Sequence, residues 1–244
     1  MGSSPASAQW GALTRWETYE GRFSVHLNGG YQAANEEFQQ TIRQRAYGED
    51  ARFTAINTVG TGAFGDVGGF AQIWERVGLG ATYSHMSKSG TTALTGTVPH
   101  PIEVDNDRSV RAETETLRHR ERATHIHVSW RIPVSAIEKL DVMVYAGPSF
   151  FNVTQGVVTG VVISESSGPP FASVNIDRIT QNEHNRNGWG GHAGVDVTYM
   201  WTTYVGLGGS ARFAGGSVDV PAEDGEFSLS VGGFQSGGGL RFRF

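Results

Sequence analysis

The chain closes on Leu240-Arg241-Phe242-Arg243-Phe244, which sets Leu240, Phe242 and Phe244 on one parity and Arg241 and Arg243 on the other. Successive side chains of a β-strand point to opposite faces, so this segment has one apolar, aromatic face and one cationic face. The pattern recurs. From Thr124 to Ile132, Ile126, Val128, Trp130 and Ile132 alternate with His125, His127, Ser129 and Arg131. From Val77 to Ser84, Val77, Leu79, Ala81 and Tyr83 alternate with Gly78, Gly80, Thr82 and Ser84. Bulky apolar residues on one side and small or polar ones on the other suit a sheet whose apolar face meets lipid and whose polar face lines an interior.

Eight such segments can be laid along the sequence: Phe23 to Tyr31, Phe64 to Trp74, from Val77, Thr124 to Ile132, Asp141 to Phe151, His192 to Trp201, from Val205, and Leu229 to Phe244. In the last, Leu229 and Val231 fall out of step with Phe234, so a bulge near Gly232-Gly233 is expected. Connections alternate between short ones (Glu75-Arg76, Pro133 to Leu140, Thr202-Thr203) and long polar ones at 32–63, 87–123, 152–188 and 214–228. Short periplasmic turns and long external loops give that asymmetry, and an even strand count would leave both termini periplasmic. Phe38 to Ala46, Arg52 to Val59, Val153 to Ile163 and Ala172 to Ile179 have strand composition and are expected to prolong the strands above the membrane as hairpins. Ten or twelve strands follow if some of these enter the bilayer; the charge of Arg43, Arg45, Glu49 and Asp50 favours eight. An open sheet in hydrocarbon would leave edge N–H and C=O groups unpaired, so the strands must close. The expected fold class is all-β: a transmembrane antiparallel up-and-down β-barrel of eight strands over residues 22–244.

Composition does not oppose this. A length of 244 residues fits one domain, and a mean hydropathy of −0.29 is compatible with a barrel that spends only alternate residues on lipid. No stretch approaches the roughly 18 apolar residues of a transmembrane helix. The 34 glycines suit strands that curve and approach closely. The absence of cysteine removes disulfides and thiolate metal sites, and a net charge of −5 gives no reason to expect nucleic acid. Ala6-Ser7-Ala8 before Gln9 reads as a small-x-small cleavage site. Residues 1–21 are therefore expected to hold a signal-peptide remnant and a periplasmic N-terminal segment, although Met1-Gly2-Ser3-Ser4 also fits a plain polar tail.

The terminal Leu-Arg-Phe-Arg-Phe, the Gly-rich alternating strands and Ala146-Gly147-Pro148-Ser149-Phe150-Phe151 together resemble the small outer-membrane β-barrels, the OmpA-type barrel domains and OmpW-like proteins. The resemblance implies residence in a Gram-negative-type outer membrane, among lipid and lipopolysaccharide. It also implies delivery by the barrel-assembly machinery, whose C-terminal aromatic signal Phe242 and Phe244 match. A wall-anchoring role of the OmpA kind is not expected, since no residues here would carry it.

The interior parity collects His26, Asp66, Gln72, His125, His127, Arg131, Asp196, Arg212, Arg241 and Arg243. Buried charges need partners, so a structural plug is expected, with Asp66 and Asp196 offsetting the arginines; a narrow path favouring small anions is the alternative. His125 and His127 could ligate a metal with His26 or His192, but lumen hydrogen bonding is the simpler reading, and neither metal nor cofactor is expected. His127-Val128-Ser129 is similar to the His-x-Ser of lipid A deacylases. That pair must face lipid, whereas here it shares the parity of Arg131, so no catalytic residues are expected. Arg118, His119, Arg120 and Arg122 form a basic cluster at the foot of the second long loop, within reach of lipopolysaccharide phosphates. Asp219, Glu223, Asp224 and Glu226 read as a solvated loop. The function classes that follow are a monomeric structural or surface-interaction barrel, a narrow porin-like or OmpW-like channel, or, with the faces reversed, a soluble lipocalin-like carrier.

Overall fold

The computed structural model describes residues 22–244 apart from 34–35, 133, 135–136, 138, 166–167 and 223–224, and leaves out the side chains of 36, 115–116, 222 and 225–227. The expected cleavage site and N-terminal segment lie outside the described residues, as do Glu223, Asp224 and the side chain of Glu226.

The alternating sequence becomes strand along nearly its whole length. The strands are β1 (Phe23–Ala33), β2 (Glu36–Ala46), β3 (Glu49–Val59), β4 (Gly62–Trp74), β5 (Val77–Pro99), β6 (Asp107–Ile132), β7 (Leu140–Glu165), β8 (Val174–Met200), β9 (Val205–Ala222) and β10 (Gly225–Arg243). Eight of them close a ring: β1 pairs with β4, and β5, β6, β7, β8, β9 and β10 follow in order back to β1, every pair antiparallel. The seam is finished by mutual backbone bonds between Phe23 and Phe244, 2.9 and 3.2 Å long. The remaining two strands, β2 and β3, form a hairpin on top of β1 and β4, and β3 joins the upper part of β5.

The registers fix how the barrel is sheared. Starting at Trp189 on β8, the cross-strand partners run Phe150, Thr124, Tyr83, Val67, Leu27, Leu240, Leu207 and back to β8 at Tyr199, an offset of ten residues. All but Thr124 are large apolar residues, and all face outward and are exposed. With Phe23, Val25, Ile126, Val128, Trp130, Ile132, Val197 and Phe213 they make a continuous apolar belt. A water-facing protein rarely shows a large contiguous patch of this kind; around a closed ring with polar residues inside, it is the surface of a barrel that sits in lipid. The alternation expected from sequence is present with the faces expected.

Beyond the belt the strands go on. A bilayer takes about 9–11 tilted residues per strand, whereas β6 and β7 have 26 each and β8 has 27. The surplus forms a crown at the long-loop end, where the expected hairpins are found. Most of 87–123 and 152–188 is strand rather than loop.

In the crown the inward parity changes character. On β6 it runs Arg131, Ser129, His127, His125 and then, past Ala123 and Glu121, to Leu117; a register shift opposite Gly90 to Thr92 then moves the buried parity to the even positions, with Val110 inside. Outside the barrel the surroundings change from lipid to water, so above the belt the apolar residues turn inward. Phe53, Leu94, Val98, Val158 and Val161 pack together there, and Phe151, Leu117, Val218, Leu229 and Val231 form a second cluster beneath them. This corrects the expected bulge at Gly232-Gly233. The β9–β10 register is unbroken from Gly225 to Phe242; Leu229 and Val231 are out of step with Phe234 because they belong to the inner core, not the belt. Gly232 and Gly233 have φ of 96° and 125°, a left-handed region that side chains disfavour.

Two devices hold the crown. Gln44 of β2 donates from Nε2 to the carbonyl of Val161 (2.7 Å) and accepts from its N–H at Oε1 (3.1 Å), while Gln40 donates to the carbonyl of Val158 (2.6 Å). These amides cap the edge of β7 opposite β8, where pairing with β6 ends at Gln155 among the described residues, which removes a site for unwanted strand pairing. At the tip, Arg108 forms a two-pronged ion pair with Glu165 and donates to the carbonyls of Pro99 and Phe171, and Tyr47 donates to Glu165 at 2.7 Å. The Arg108 hydrogen bonds hold the Glu165 carboxyl below its usual range, and the carboxylate in turn raises the Tyr47 phenol.

Candidate functional site

Two groups of polar residues stand out: the chain of contacts across the lumen and the arginine row on the outer face of β6. In the lumen, Arg241 reaches Asp196 through both Nε and Nη2 and donates from Nη1 to Asn28. Asn28 donates to Asp66 at 2.8 Å, and Asp66 is 3.4 Å from Nη2 of Arg212. Arg212 donates from Nε to Gln235 (2.7 Å), which donates to Gln32 (2.6 Å). Gln32 lies 3.4 Å from the Glu121 carboxylate, which accepts from the Gly232 N–H and stands 3.8 Å from His119. His119 ends the chain on Gln155 at 2.6 Å. The alternation of β1, β4, β6, β7, β8, β9 and β10 aims all of these groups at one axis; Arg212 and Arg241 each have a carboxylate beside them, as burial demands, and the Glu121 carboxylate is held by the Gly232 N–H and the Gln32 amide. Nearer the short-turn end, Arg243 pairs with Asp141; Arg131 lines a cleft of about 40 Å³ there with Ser24 and Met143, room for very few waters.

The imidazoles make a separate cluster. Ser149 Oγ sits 2.8 Å from His125 Nδ1 and 2.9 Å from His192 Nδ1; His192 Nε2 is 3.2 Å from His127 Nδ1, and His125 Nε2 is 3.1 Å from Ser84. Phe70 lies between His26 and His127, with ring centroids 5.3 and 4.8 Å away. Both ring nitrogens of His125 and His192 and Nδ1 of His127 are spent on hydroxyls and on one another, while His127 Nε2 and His26 Nδ1 are buried without a hydrogen-bond partner; among the described residues no three His, Asp or Glu groups are placed to hold one metal ion. His127 and Ser129 both face inward and are buried, away from any acyl chain outside.

Of the residues expected in the interior, His26, Asp66, Arg212, Asp196 and Arg241 join the contact chain or touch it, His125 and His127 form the imidazole cluster, and Arg131 and Arg243 line the base. Gln72 does neither: it sits at the rim and its amide bonds the carbonyl of Glu75 in the turn. His119 belongs to the lumen rather than to the basic surface cluster, since its odd parity on β6 turns it inward, where it is 2% exposed. Gln32, Glu121, Gln235, Asp141 and Ser149 were not anticipated. Extending the alternation upward from His125 would have found Glu121, and extending it back from Arg241 would have found Gln235.

On the outer face the rows are equally regular. Tyr83, Thr124, Phe150 and Trp189 lie side by side; above them come His85, Arg122, Asn152 and Asn187, and then Ser87, Arg120, Thr154 and Asn185. Arg118 follows, 3.2 Å from Glu183.

A closed eight-strand ring, an apolar belt and a polar interior together decide the class of fold. The chain is a transmembrane β-barrel. No protein-family model matches its sequence, and no curated protein does. Among solved structures it is similar to the outer membrane protein OprG of Pseudomonas aeruginosa, at 6% identity and a TM-score of 0.46, covering 92% of this chain and 97% of that one. It is also similar to the outer membrane protease OmpT of Escherichia coli (8%, TM-score 0.45, 93% and 98%) and to Neisserial surface protein A (10%, TM-score 0.39, 91% and 97%). The first two are outer-membrane proteins by name and the third a surface protein, and at these values the likeness carries no role across to this chain.

Proposed function

We propose that this protein is a resident of a bacterial outer membrane that acts through its crown and outer surface, with a lumen shut by its own side chains. One observation carries the reading: the axis is occupied twice over, by the contact chain that rises from Asp196 in the belt to Gln155 and by the apolar clusters around Phe151 and Phe53 beside and above its upper end. Eight strands enclose an interior that side chains can fill. A solute would have to break paired buried charges and then part a packed apolar core, and each step is costly. The crown, pinned at Arg108 and sealed by Gln40 and Gln44, suits a surface presented to other molecules. A ligand carrier with the faces reversed would need an apolar interior at belt level, where His125, His127 and Arg212 stand. With lipid outside, and with no three metal-ligating side chains gathered at one point among the described residues, we read the protein as a non-enzymatic barrel with both termini periplasmic and the crown outside the cell.

Reconstitution into planar bilayers tests this. The expected record is a flat baseline without unitary steps across a wide voltage range in simple salt. Discrete, reproducible conductance steps that scale with protein would overturn the shut lumen and favour the narrow-channel reading.

A further inference from the structure

We propose that the outer face of β6 and β7 binds the phosphorylated headgroup of a glycolipid in the outer leaflet, with Arg122 and Arg120 as its phosphate ligands. The inference rests on the barrel spanning a membrane with its crown outside. The position comes first. Ile126 is the last aliphatic residue of the belt on β6, Thr124 stands level with Tyr83 and Phe150, and Arg122 and Arg120 come next along the same face. That is the depth at which headgroups meet the protein, and interfacial aromatics mark it. Trp189, 70% exposed, stands against Phe150 with ring centroids 5.2 Å apart.

Charge and chemistry then narrow the occupant. Arg118 is taken by Glu183, but neither Arg120 nor Arg122 has an ion-pair partner among the described residues. The patch is one-sided: where the belt ends on the other strands, the outward residues are Tyr31 on β1, Ala63 on β4, Ser217 on β9 and Phe234 on β10. A general snorkelling girdle would spread cations around the ring; here they stand together on a protein of net charge −5. Guanidiniums bind phosphate with paired, directed hydrogen bonds. Beside them lies a ladder of amides in which Asn152 donates to Asn185 (2.7 Å) and Asn187 (2.8 Å) and Asn185 donates to Thr154 (3.2 Å). Exposed amides that both donate and accept suit sugar hydroxyls. Arginines for phosphate, amides for sugar and an apolar wall below for acyl chains favour a phosphoglycolipid over a simple anion.

The test uses the whole protein in phosphatidylcholine nanodiscs, shown to be folded by its mobility on a cold SDS gel, and measures binding of fluorescent lipid A with and without its phosphates. Wild type is expected to bind the phosphorylated form at least about tenfold more tightly than the dephosphorylated form, a difference of ~1.4 kcal/mol. R120Q/R122Q should lose that preference while keeping the folded mobility, and R111Q, at a crown arginine on the same strand paired with Glu113, should keep it. Equal binding of the two lipids by wild type, or an undiminished preference in R120Q/R122Q, would overturn the proposal. So would full displacement by millimolar inorganic phosphate, which would make the patch a free-anion site. Because binding is read only in protein already folded in a bilayer, a negative result leaves the barrel reading standing.

Discussion

Replacing Asp196 with Ala is expected to destabilise the barrel by about 3–5 kcal/mol, the cost of leaving a buried charge without its partner. Arg241 holds Asp196 through two nitrogens, with both side chains less than a tenth exposed, and Thr198 adds a 2.8 Å bond to the same carboxylate. Without the carboxylate, Arg241 keeps only Asn28 and a backbone carbonyl. The effect should appear as a lower urea midpoint and a lower temperature for the gel-mobility transition in detergent. D196A/R241L should recover most of the loss, because a buried pair contributes far less than its breakage costs. A loss below 1 kcal/mol in the single variant would mean that water reaches the pair freely, and the shut lumen would fail with it.

The second large effect lies on the opposite face of the same wall. Leu27 is 54% exposed on β1, between Val67 and Leu240. If lipid covers it, L27R should cost about 2–4 kcal/mol of folding free energy in a bilayer, the value for arginine near the midplane of a membrane barrel. Ile56, an exposed apolar residue on β3 in the crown, provides the contrast. It faces water, so I56R should change stability by no more than about 0.5 kcal/mol. Equal small effects at both positions would mean that the belt is not in lipid.

What could be read from the sequence, and what could not, divides at the membrane surface. Within the belt one rule holds: lipid selects apolar residues outside, and the interior takes what remains. Period-2 alternation is then a direct record of facing, and Ile126, Val128 and Trp130 against His125, His127 and Ser129 could be assigned without coordinates. Above the belt the solvent changes and the rule inverts, while the strand runs on without a break. Leu229 and Val231 keep the parity of Gln235 yet read as out of register, because in the belt apolar means outward. The same inversion hid the length of β6 and β7, whose crown halves bury Leu117 and Val157 inside and show Thr, Arg and Asn outside, a pattern that resembles polar loop. Sequence proximity groups His119 with its arginine neighbours, although parity separates them. Which lumen partners meet is a matter of shear and of which strands face across the axis. No local pattern reports that Glu121 on β6 stands against Gln32 on β1.

The central claim, one continuous wall with lipid outside and side chains within, is tested most directly by a cysteine scan. The chain has no cysteine, so single substitutions along β6 from Arg118 to Ile132 can each carry a fluorophore in protein reconstituted into bilayers. Lipid-borne quenchers are expected to reach positions 126, 128, 130 and 132, aqueous quenchers to reach 118, 120 and 122, and neither to reach 121, 125, 127 or 129. Lipid quenching at the odd positions, or aqueous quenching at 126 and 128, would contradict it.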